Sequence, residues 1–223
     1  MPMARGLFIT GTDTDVGKTI VAVALLRGLV AAGVRAVGMK PVSAGISAPS
    51  GLNDDVVALE AAGNVPAPLE ERNPFSFADY CAPHLAARRA DVAIELPAIS
   101  IAYERLSARA DAVVEGAGGA LVPLDDRLDV LDVARTLRLP VLLVVGVRLG
   151  CLNHARLSVL AIRARGLKFA GWVASRVDPH MAYADENIAW LSNELPARCV
   201  AQIRTATPPP SPRDVLEALD LIR

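Results

Sequence analysis

The sequence predicts a single α/β domain, spanning residues 1–223, in which a doubly wound, mostly parallel sheet is flanked by helices. Short apolar runs alternate with helical patterns along the chain, which is the order that such a sheet requires. The apolar runs are continuous, as in the segment VLLVV at 141–145. Continuous runs are typical of parallel strands that helices cover on both faces.

The elements follow from these patterns in chain order. The predicted strands span 6–11, 35–40, 111–115, 140–146, 169–175 and 198–203, and the predicted helices span 17–32, 54–62, 99–109, 128–138, 153–165, 182–195 and 213–222. Residues 43–53 are rich in Gly, Ser and Pro and indicate a mobile loop, whereas 64–83 indicate an irregular excursion. Ligands of doubly wound sheets bind beyond the carboxyl ends of the strands, so the residues that follow each strand form the candidate site.

Composition and charge exclude several classes of function. The formal net charge of −1 provides no basic excess for nonspecific nucleic-acid binding. No segment reaches about 18 uninterrupted apolar residues, so no membrane span is expected. The three cysteines are far apart in the sequence, which indicates neither a zinc site nor a disulfide framework. The first residues do not have the pattern of a signal peptide, and reduced thiols fit a cytoplasmic protein.

The strongest motif is the loop from Gly11 to Thr19, which joins the first predicted strand to the first predicted helix. Its sequence, GTDTDVGKT, ends in the Gly-Lys-Thr that opens a helix in P-loop proteins, so we expect a P-loop NTPase-like domain. Backbone N–H groups would face phosphate, Lys18 would reach the β/γ oxygens, and Thr19 would ligate Mg²⁺. The loop departs from the usual pattern because Thr12 stands where the first Gly belongs.

Three further positions carry charge near the predicted carboxyl edge of the sheet. Lys40 ends a strand, where it can neutralise substrate or phosphate charge. The segment NDD at 53–55 begins a helix, and one of its two acids is enough for capping, which leaves the other for Mg²⁺. Glu115 ends a buried strand, where an ionised carboxylate is costly unless it is paired or binds metal. The glycines that follow Glu115 let the backbone approach a ligand.

A second glycine-bearing loop, at 150–153, leads into a helix whose N–H groups can hold another anion. Cys151 in this loop has no activating base nearby in the sequence and is interpreted as a packing residue. His84 and His154 either line the site or make ordinary hydrogen bonds, and the sequence leaves both interpretations open.

Together these motifs resemble those of the dethiobiotin synthetase family. The matching segments are GTDTDVGKT at 11–19, KPV at 40–42, NDD at 53–55, EGAGG at 115–119, LGCLNHA at 149–155 and GWVA at 171–174. The resemblance spans about residues 6–200. It implies a homodimeric ligase that uses ATP, Mg²⁺ and CO₂ or bicarbonate to convert 7,8-diaminononanoate into the cyclic urea dethiobiotin.

The resemblance also implies roles for individual residues. The expected catalytic residues are Lys18, Lys40 and Thr12, and the expected metal ligands are Thr19, Asp55 and Glu115. The residues expected to contact the nucleotide are Asp13, Thr14, Asp15, Val16, Gly17, Lys18, Thr19, Glu115, Gly118, Ser175 and Arg204. The residues expected to contact the substrate are Thr12, Lys40, Ser43, Gly150, Cys151, Leu152 and Asn153. The last four would hold the distal carboxylate, in their own or the neighbouring subunit's site.

Three positions depart from the family's pattern. The serine that the family often has after Lys-Pro-Val-Ala is Ala44 here, so its hydroxyl contact is either lost or moved to Ser43. Ser175 stands where the family often has an asparagine that reads the adenine edge, and Arg204 stands where it has a proline. We therefore expect nucleoside triphosphates other than ATP to be accepted as well.

Two other functions stay open at the level of sequence. A cobyrinate-type amidoligase shares the phosphate-loop fold, but it would need a glutamine-amidase domain or a partner that carries one. A partitioning-type switch ATPase would carry a lysine early in the loop and a surface for membrane or DNA. Here Asp13 and Asp15 occupy the loop, and no basic or amphipathic tail is evident.

Overall fold

The computed structural model describes residues 6–46 and 51–204. Its strands are β1 (Gly6–Gly11), β2 (Ala36–Met39), β3 (Val42–Ala44), β4 (Phe75–Phe77), β5 (Asp111–Gly119), β6 (Val141–Gly146), β7 (Phe169–Arg176) and β8 (Cys199–Arg204). Its helices are α1 (Lys18–Ala31), α2 (Asp54–Ala62), α3 (Leu69–Arg72), α4 (Pro83–Arg89), α5 (Leu96–Ser107), α6 (Val130–Leu137), α7 (Cys151–Ala164) and α8 (Ala184–Glu194). The helix predicted at 213–222 lies outside the described residues.

Within the described stretches, six strands form one parallel sheet in the order β2-β5-β1-β6-β7-β8. β1 lies in the middle of this sheet, and the later strands lie on both sides of it. The strand order therefore reverses at β1, and a crevice forms beyond its carboxyl end. That is the end from which the phosphate loop of the sequence motif leaves the sheet.

Helices cover both faces of this sheet. Successive side chains of a strand point to opposite faces, and β1 shows both directions. Phe8 packs into a buried cluster with Ile99 of α5 and Leu131 of α6. Leu7 and Ile9 belong to a second buried cluster, which includes the apolar side of α1. The predicted fold class, an α/β domain with a parallel sheet between helices, is confirmed.

The main elements begin and end within three residues of their predicted positions, with one exception. β5 continues beyond the predicted 111–115 to Gly119, because its last residue pairs with Gly11 of β1 after a shift in register. The extension carries the glycine-rich end of β5 alongside the phosphate loop.

Two predictions of irregular structure were wrong in part. β3 lies at the start of the segment predicted as a loop, while α3, β4 and the start of α4 lie within 64–83. β3 and β4 pair in parallel as a separate small sheet. β3, α3 and β4 have only three or four residues and give no periodic pattern, and side-chain hydrogen bonds hold the segments around them together. Asn73 Nδ2 donates to the Lys40 carbonyl at 2.6 Å, and Ser43 Oγ donates to Asn73 Oδ1 at 3.0 Å.

Candidate active site

The loop between β1 and α1 has the shape of an anion cradle. Gly17, the residue before α1, adopts a left-handed conformation with φ of 92°, which glycine tolerates without strain. Gly17 has no side chain with which to cap the helix, so the first N–H groups of α1 remain available to an anion. Lys18 Nζ donates to the carbonyl of Asp13 at 2.9 Å, which holds the ammonium within the loop.

A cluster of two carboxylates, one lysine and one hydroxyl lies beside this loop. Lys40 Nζ is 2.7 Å from Asp55 Oδ2 and 2.5 Å from Glu115 Oε1. Thr19 Oγ1 lies 2.8 Å from Asp55 Oδ1 and 3.0 Å from Glu115 Oε1. A hydroxyl carries one proton, so Thr19 donates to one carboxylate at a time. The cluster therefore joins the start of α1 to β2, α2 and β5.

The sheet explains why these side chains meet. β2 and β5 are neighbours, and Met39 pairs with Val114. Lys40 follows Met39 and Glu115 follows Val114, so these two side chains lie at the same edge of the sheet. Asp55 enters from the first turn of α2, whose asparagine N-cap accepts a hydrogen bond from the Asp55 N–H at 3.1 Å. One acid of the NDD segment thus faces the cluster while the asparagine caps the helix.

Burial and neighbouring charges shift the pKa values in the cluster. Burial and the nearby Lys40 ammonium lower the pKa of Lys18 to about 8. Burial acts against the Lys40 ammonium as well, but Glu115 and Asp55 outweigh it and raise the pKa of Lys40. Burial opposes ionisation of Asp55, yet Lys40 holds its pKa below the usual value. The pKa of Glu115 is raised by burial, which the Lys40 ammonium only partly offsets. Lys40 is thus the counter-ion of both carboxylates.

The oxygen atoms of the cluster fit a magnesium ion. Glu115 is 0% exposed, and its Oε2 has no hydrogen-bond partner within residues 6–46 and 51–204. Burying a carboxylate oxygen in this way costs free energy of folding unless a cation or a hydrogen-bond donor contacts it. In the described part of the chain no three His, Cys, Asp or Glu side chains converge as a metal cage. Two carboxylates and a hydroxyl instead match Mg²⁺, which binds few protein oxygens and leaves positions for water and phosphate.

A cavity of about 770 Å³ opens in front of this cluster. One wall is polar and is made by the phosphate loop and the carboxylate–lysine cluster. A second part of the lining, which we call the apolar wall, consists of Ala78, Tyr80, Cys81, Ala82 and Pro83 together with Val122. Tyr80 in this wall packs against the backbone of Gly45, where an added Cβ would lie 2.7 Å from the ring. The cavity volume is within the range of about 300–1,000 Å³ that is typical of small-molecule sites.

Most of the predicted phosphate and metal residues line this cavity. They include Thr14, Asp15, Gly17, Lys18, Thr19, Lys40, Ser43, Asp55, Glu115 and Gly118. Gly118 has φ of +62°, and a Cβ there would lie 3.4 Å from Thr14 Oγ1 and 2.8 Å from Val122. A side chain at 118 would therefore narrow the space between the loop and the apolar wall. Ser43 is 1% exposed and is already hydrogen-bonded to Asn73, so its hydroxyl is engaged.

Three predicted residues of the loop and sheet are not among the residues that line the cavity in the described stretches. Thr12 Oγ1 accepts a hydrogen bond from the Gly146 N–H at 3.1 Å, which ties the loop to β6. Val16 is 1% exposed and packs as a core residue. Asp13 forms an ion pair with Arg148. In this structure the contacts of these three side chains stabilise the conformation of the loop.

The second glycine loop and Ser175 are likewise not among the described residues that line the cavity. Gly150 has φ of 95° and precedes α7, where the Cys151 N–H donates to the Arg148 carbonyl at 3.0 Å. The Cys151 side chain is 1% exposed, in agreement with a packing role, while Asn153 is exposed and Leu152 is half-buried. Ser175 is 0% exposed, close to Gly17, and its Oγ has no partner among the described residues.

Three remaining positions complete the predicted set. Arg204 ends β8 opposite Arg176 of β7. His154 is exposed on α7, and its carbonyl accepts a hydrogen bond from Ser158 Oγ at 2.8 Å. His84 is half-buried at the start of α4, next to the apolar wall. Neither histidine is among the residues that line the cavity in the part of the chain that is described.

Sequence reasoning missed the apolar wall and one compositional signal. The wall lies in the segment that was predicted to be irregular, so its residues had no assigned position. The signal is the choice of basic residue: of 23 lysines and arginines, the lysines are Lys18, Lys40 and Lys168. Two of these three converge on the cavity. A compact ammonium suits phosphate and carbamate oxygens, and its charge responds to burial more readily than a guanidinium.

The comparison with protein families settles the broad identity. A family model described as an AAA domain matches residues 5–208. The chain belongs to this AAA domain family. The family includes dethiobiotin synthetase, so the resemblance found in the motifs is supported at the level of the family. AAA-domain membership also agrees with the phosphate loop and its helix.

Solved structures show that this AAA-domain chain shares the P-loop NTPase fold. The septum site-determining protein MinD of Pyrococcus horikoshii, solved with Mg-ADP, superposes with a TM-score of 0.61 at 13% identity, covering 99% of this chain and 95% of that chain. The MinC:MinD cell division complex of Aquifex aeolicus gives 0.60 at 13% identity, with 96% and 93% covered. The signal recognition particle receptor FtsY of Elizabethkingia anophelis, in complex with GDP, gives 0.50 at 15% identity, with 97% and 63% covered.

These similarities concern the fold of the AAA-domain chain, because the identities are low. Within the two described stretches, no helix is both long and apolar enough to cross a membrane.

Proposed function

We propose that the protein is a dethiobiotin synthetase, an ATP- and Mg²⁺-dependent ligase of biotin biosynthesis. It would carboxylate 7,8-diaminononanoate with CO₂ and close the product to a cyclic urea. The observation that carries this proposal is the meeting of Lys18 and Lys40 at one cavity, next to a hydroxyl and two carboxylates. The family, which includes dethiobiotin synthetase, supports it.

The reaction brings two anions together. One substrate amine adds to CO₂ and loses a proton, which gives a carbamate. A carbamate oxygen attacks the γ-phosphorus of ATP, and the bond from that phosphorus to the β-bridging oxygen breaks, so that ADP leaves. The second amine then attacks the carbamoyl phosphate carbon, the bond from that carbon to the phosphate oxygen breaks, and the urea ring closes as phosphate leaves and the amine loses a proton. This chemistry uses no covalent nucleophile from the protein.

The two lysines would lower the repulsion between these anions. Lys18 lies in the phosphate loop, where its ammonium would follow the charge on the transferring phosphoryl group. Lys40 ends β2 on the same wall, where it would face the carbamate. Preorganised positive groups of this kind stabilise charge that develops in a transition state. Thr19, Asp55 and Glu115 would hold Mg²⁺, which neutralises charge on the triphosphate when it is bound.

The rest of the substrate would use the remaining features of the site. The apolar wall offers a surface for the alkyl chain that links the two amines to the distal carboxylate. That carboxylate would bind the N-terminus of α7 at 150–153, where N–H groups attract an anion. Because this loop is apart from the cavity lining, we propose that it serves the neighbouring subunit of a homodimer.

A partitioning-type switch ATPase is the alternative that shares this fold, as the similarity to MinD indicates. The similarity is one of fold, and it does not distinguish ATP hydrolysis from ligation. A cobyrinate-type amidoligase is a further alternative and would consume an amide donor. Each alternative predicts a different requirement for turnover.

The decisive experiment is mass spectrometry of the product formed from 7,8-diaminononanoate, ¹³C-bicarbonate, Mg²⁺ and ATP. We expect the label in a cyclic urea, with ADP and phosphate formed in equal amounts. Lys168→Ala, which changes an exposed lysine outside the cavity, should retain this activity and is the matched control for Lys18→Ala. ATP hydrolysis that needs DNA or lipid, without a urea product, would reject the ligase.

A further inference from the structure

The position that a metal ion would take is already held by a cation of the protein. The Lys40 ammonium lies 2.7 Å from Asp55 Oδ2 and 2.5 Å from Glu115 Oε1, and it is 5% exposed. Both carboxylates also lie within hydrogen-bonding distance of the Thr19 hydroxyl, which donates to one of them at a time, so both are within reach of the first turn of α1. Lysine and metal thus share one set of oxygens.

We propose that Lys40 is displaced by the metal: its ammonium neutralises Asp55 and Glu115 in the metal-free protein and is released into the cavity when Mg²⁺ binds to them. The proposal rests on the magnesium site of the proposed function. It adds that metal binding has a second effect besides holding the nucleotide: it releases the Lys40 ammonium to face the carbamate.

Charge and space support the displacement. A divalent ion coordinated by these carboxylates would lie only a few ångströms from an ammonium that contacts the same oxygens. Two cations at that separation repel each other strongly, because burial weakens solvent screening. Lys40 has a weak alternative partner in the Gly116 carbonyl, at 3.5 Å, and its side chain already lines the cavity. The open direction for the released ammonium is therefore the cavity.

The displacement has a consequence for the order of events. Without metal, Lys40 is held by two carboxylates and is poorly available to an anionic substrate. After metal binding, the carboxylates are neutralised and the ammonium needs a new anion. The carbamate is the anion that the proposed reaction supplies, so carbamate binding should tighten when the metal is present.

The first test measures divalent-ion binding directly, without nucleotide or turnover. Mn²⁺ is titrated into the full chain and free Mn²⁺ is followed by electron paramagnetic resonance. Lys40→Met should bind Mn²⁺ at least about tenfold more tightly than the wild type, because a competing charge is gone. The matched control, Lys168→Met, should bind like the wild type, and Glu115→Gln should lose most binding.

The outcomes separate the two proposals. If Lys40→Met binds Mn²⁺ no more tightly than the wild type while Glu115→Gln loses binding, the metal site stands and the displacement is rejected. If Glu115→Gln binds like the wild type, the metal assignment and the displacement are both rejected. Tighter binding by Lys40→Met together with loss in Glu115→Gln supports both.

The second test uses the wild-type protein and does not depend on a variant that folds. Acetic anhydride labels amines, and the chain has three lysines to compare by peptide mass spectrometry. Lys168 is exposed and is the internal reference. Mg²⁺ should raise labelling of Lys40 relative to Lys168 several-fold and saturably. A ratio that does not change, at Mg²⁺ concentrations that occupy the site, would overturn the displacement.

Discussion

Replacing Lys40 by methionine should destabilise the metal-free protein by about 3–5 kcal/mol, the range for removing one partner of a buried ion pair. The structure locates this cost at Glu115, which is 0% exposed and has its second oxygen unpartnered in the described part of the chain. Asp55 contributes less, because its side chain is 35% exposed and water can replace the ammonium. Methionine fills a similar volume, so loss of packing is a minor part.

The measurement is urea unfolding in the presence of a chelator and without nucleotide. With an m-value of about 2 kcal/mol per molar urea, the expected loss shifts the midpoint by about 1.5–2.5 M. The double change Lys40→Met with Glu115→Gln should lose clearly less stability than the sum of the single changes, since the uncompensated carboxylate is gone. Lys168→Met serves as the control and should leave the midpoint in place.

Two results would contradict this reasoning. A Lys40→Met midpoint within about 0.3 M of the wild type, well below the expected shift, would show that Lys40 is not the counter-ion of a buried carboxylate. Additive losses in the double variant would show that Lys40 and Glu115 act independently.

Three further predictions concern the nucleotide and the cavity. Lys18→Ala should lower kcat/KM by on the order of 10³, equivalent to about 4 kcal/mol, in a protein whose circular dichroism is unchanged; near-normal turnover would reject its role. CTP, GTP or UTP should support turnover within about tenfold of ATP. Ser175→Asn should raise kcat/KM for ATP relative to the other three triphosphates, because a bidentate amide contact discriminates bases. A hundredfold preference of the wild type for ATP would show that other residues read the base. Maleimide should label Cys81 first, because it is exposed in the cavity lining, whereas Cys151 is buried and burial raises its thiol pKa. Mg²⁺ with ATP should slow the labelling of Cys81. Equal labelling rates with and without nucleotide, measured by peptide mass spectrometry, would place Cys81 outside the site.

Most strands of the main sheet could be predicted from sequence because they contain continuous apolar runs, such as VLLVV at 141–145. A parallel strand that is covered on both faces needs apolar side chains at successive positions, so the pattern in the sequence is strong. β3 and β4 could not be predicted, because three-residue strands carry no period. Their pairing depends on Asn73, which bonds the Lys40 carbonyl and accepts from Ser43, and these contacts join residues about thirty positions apart. Local propensity contains no information on such contacts.

The convergence of Lys18, Thr19, Lys40, Asp55 and Glu115 on one cavity could be predicted, because these residues follow predicted strands or lie at the start of a predicted helix. Parallel strands bring their carboxyl ends to one edge, so Lys40 and Glu115 meet although they are far apart in sequence. The engagement of individual atoms could not be predicted. Thr12 departs from the usual phosphate-loop pattern, and its hydroxyl accepts a hydrogen bond from the Gly146 N–H, a contact that depends on the alignment of β6.

The fold alone does not separate a ligase from an ATPase that hydrolyses with water, because both place phosphates at the same loop. What separates them is the rest of the cavity surface. A water nucleophile needs only a positioning group, whereas a diamino acid needs a cationic surface for its carbamate and an apolar surface for its chain. The cavity has both, since Lys40 lies on the polar wall and residues such as Ala82 and Pro83 lie on the apolar wall. That pairing of walls suits the organic phosphoryl acceptor of the proposed function.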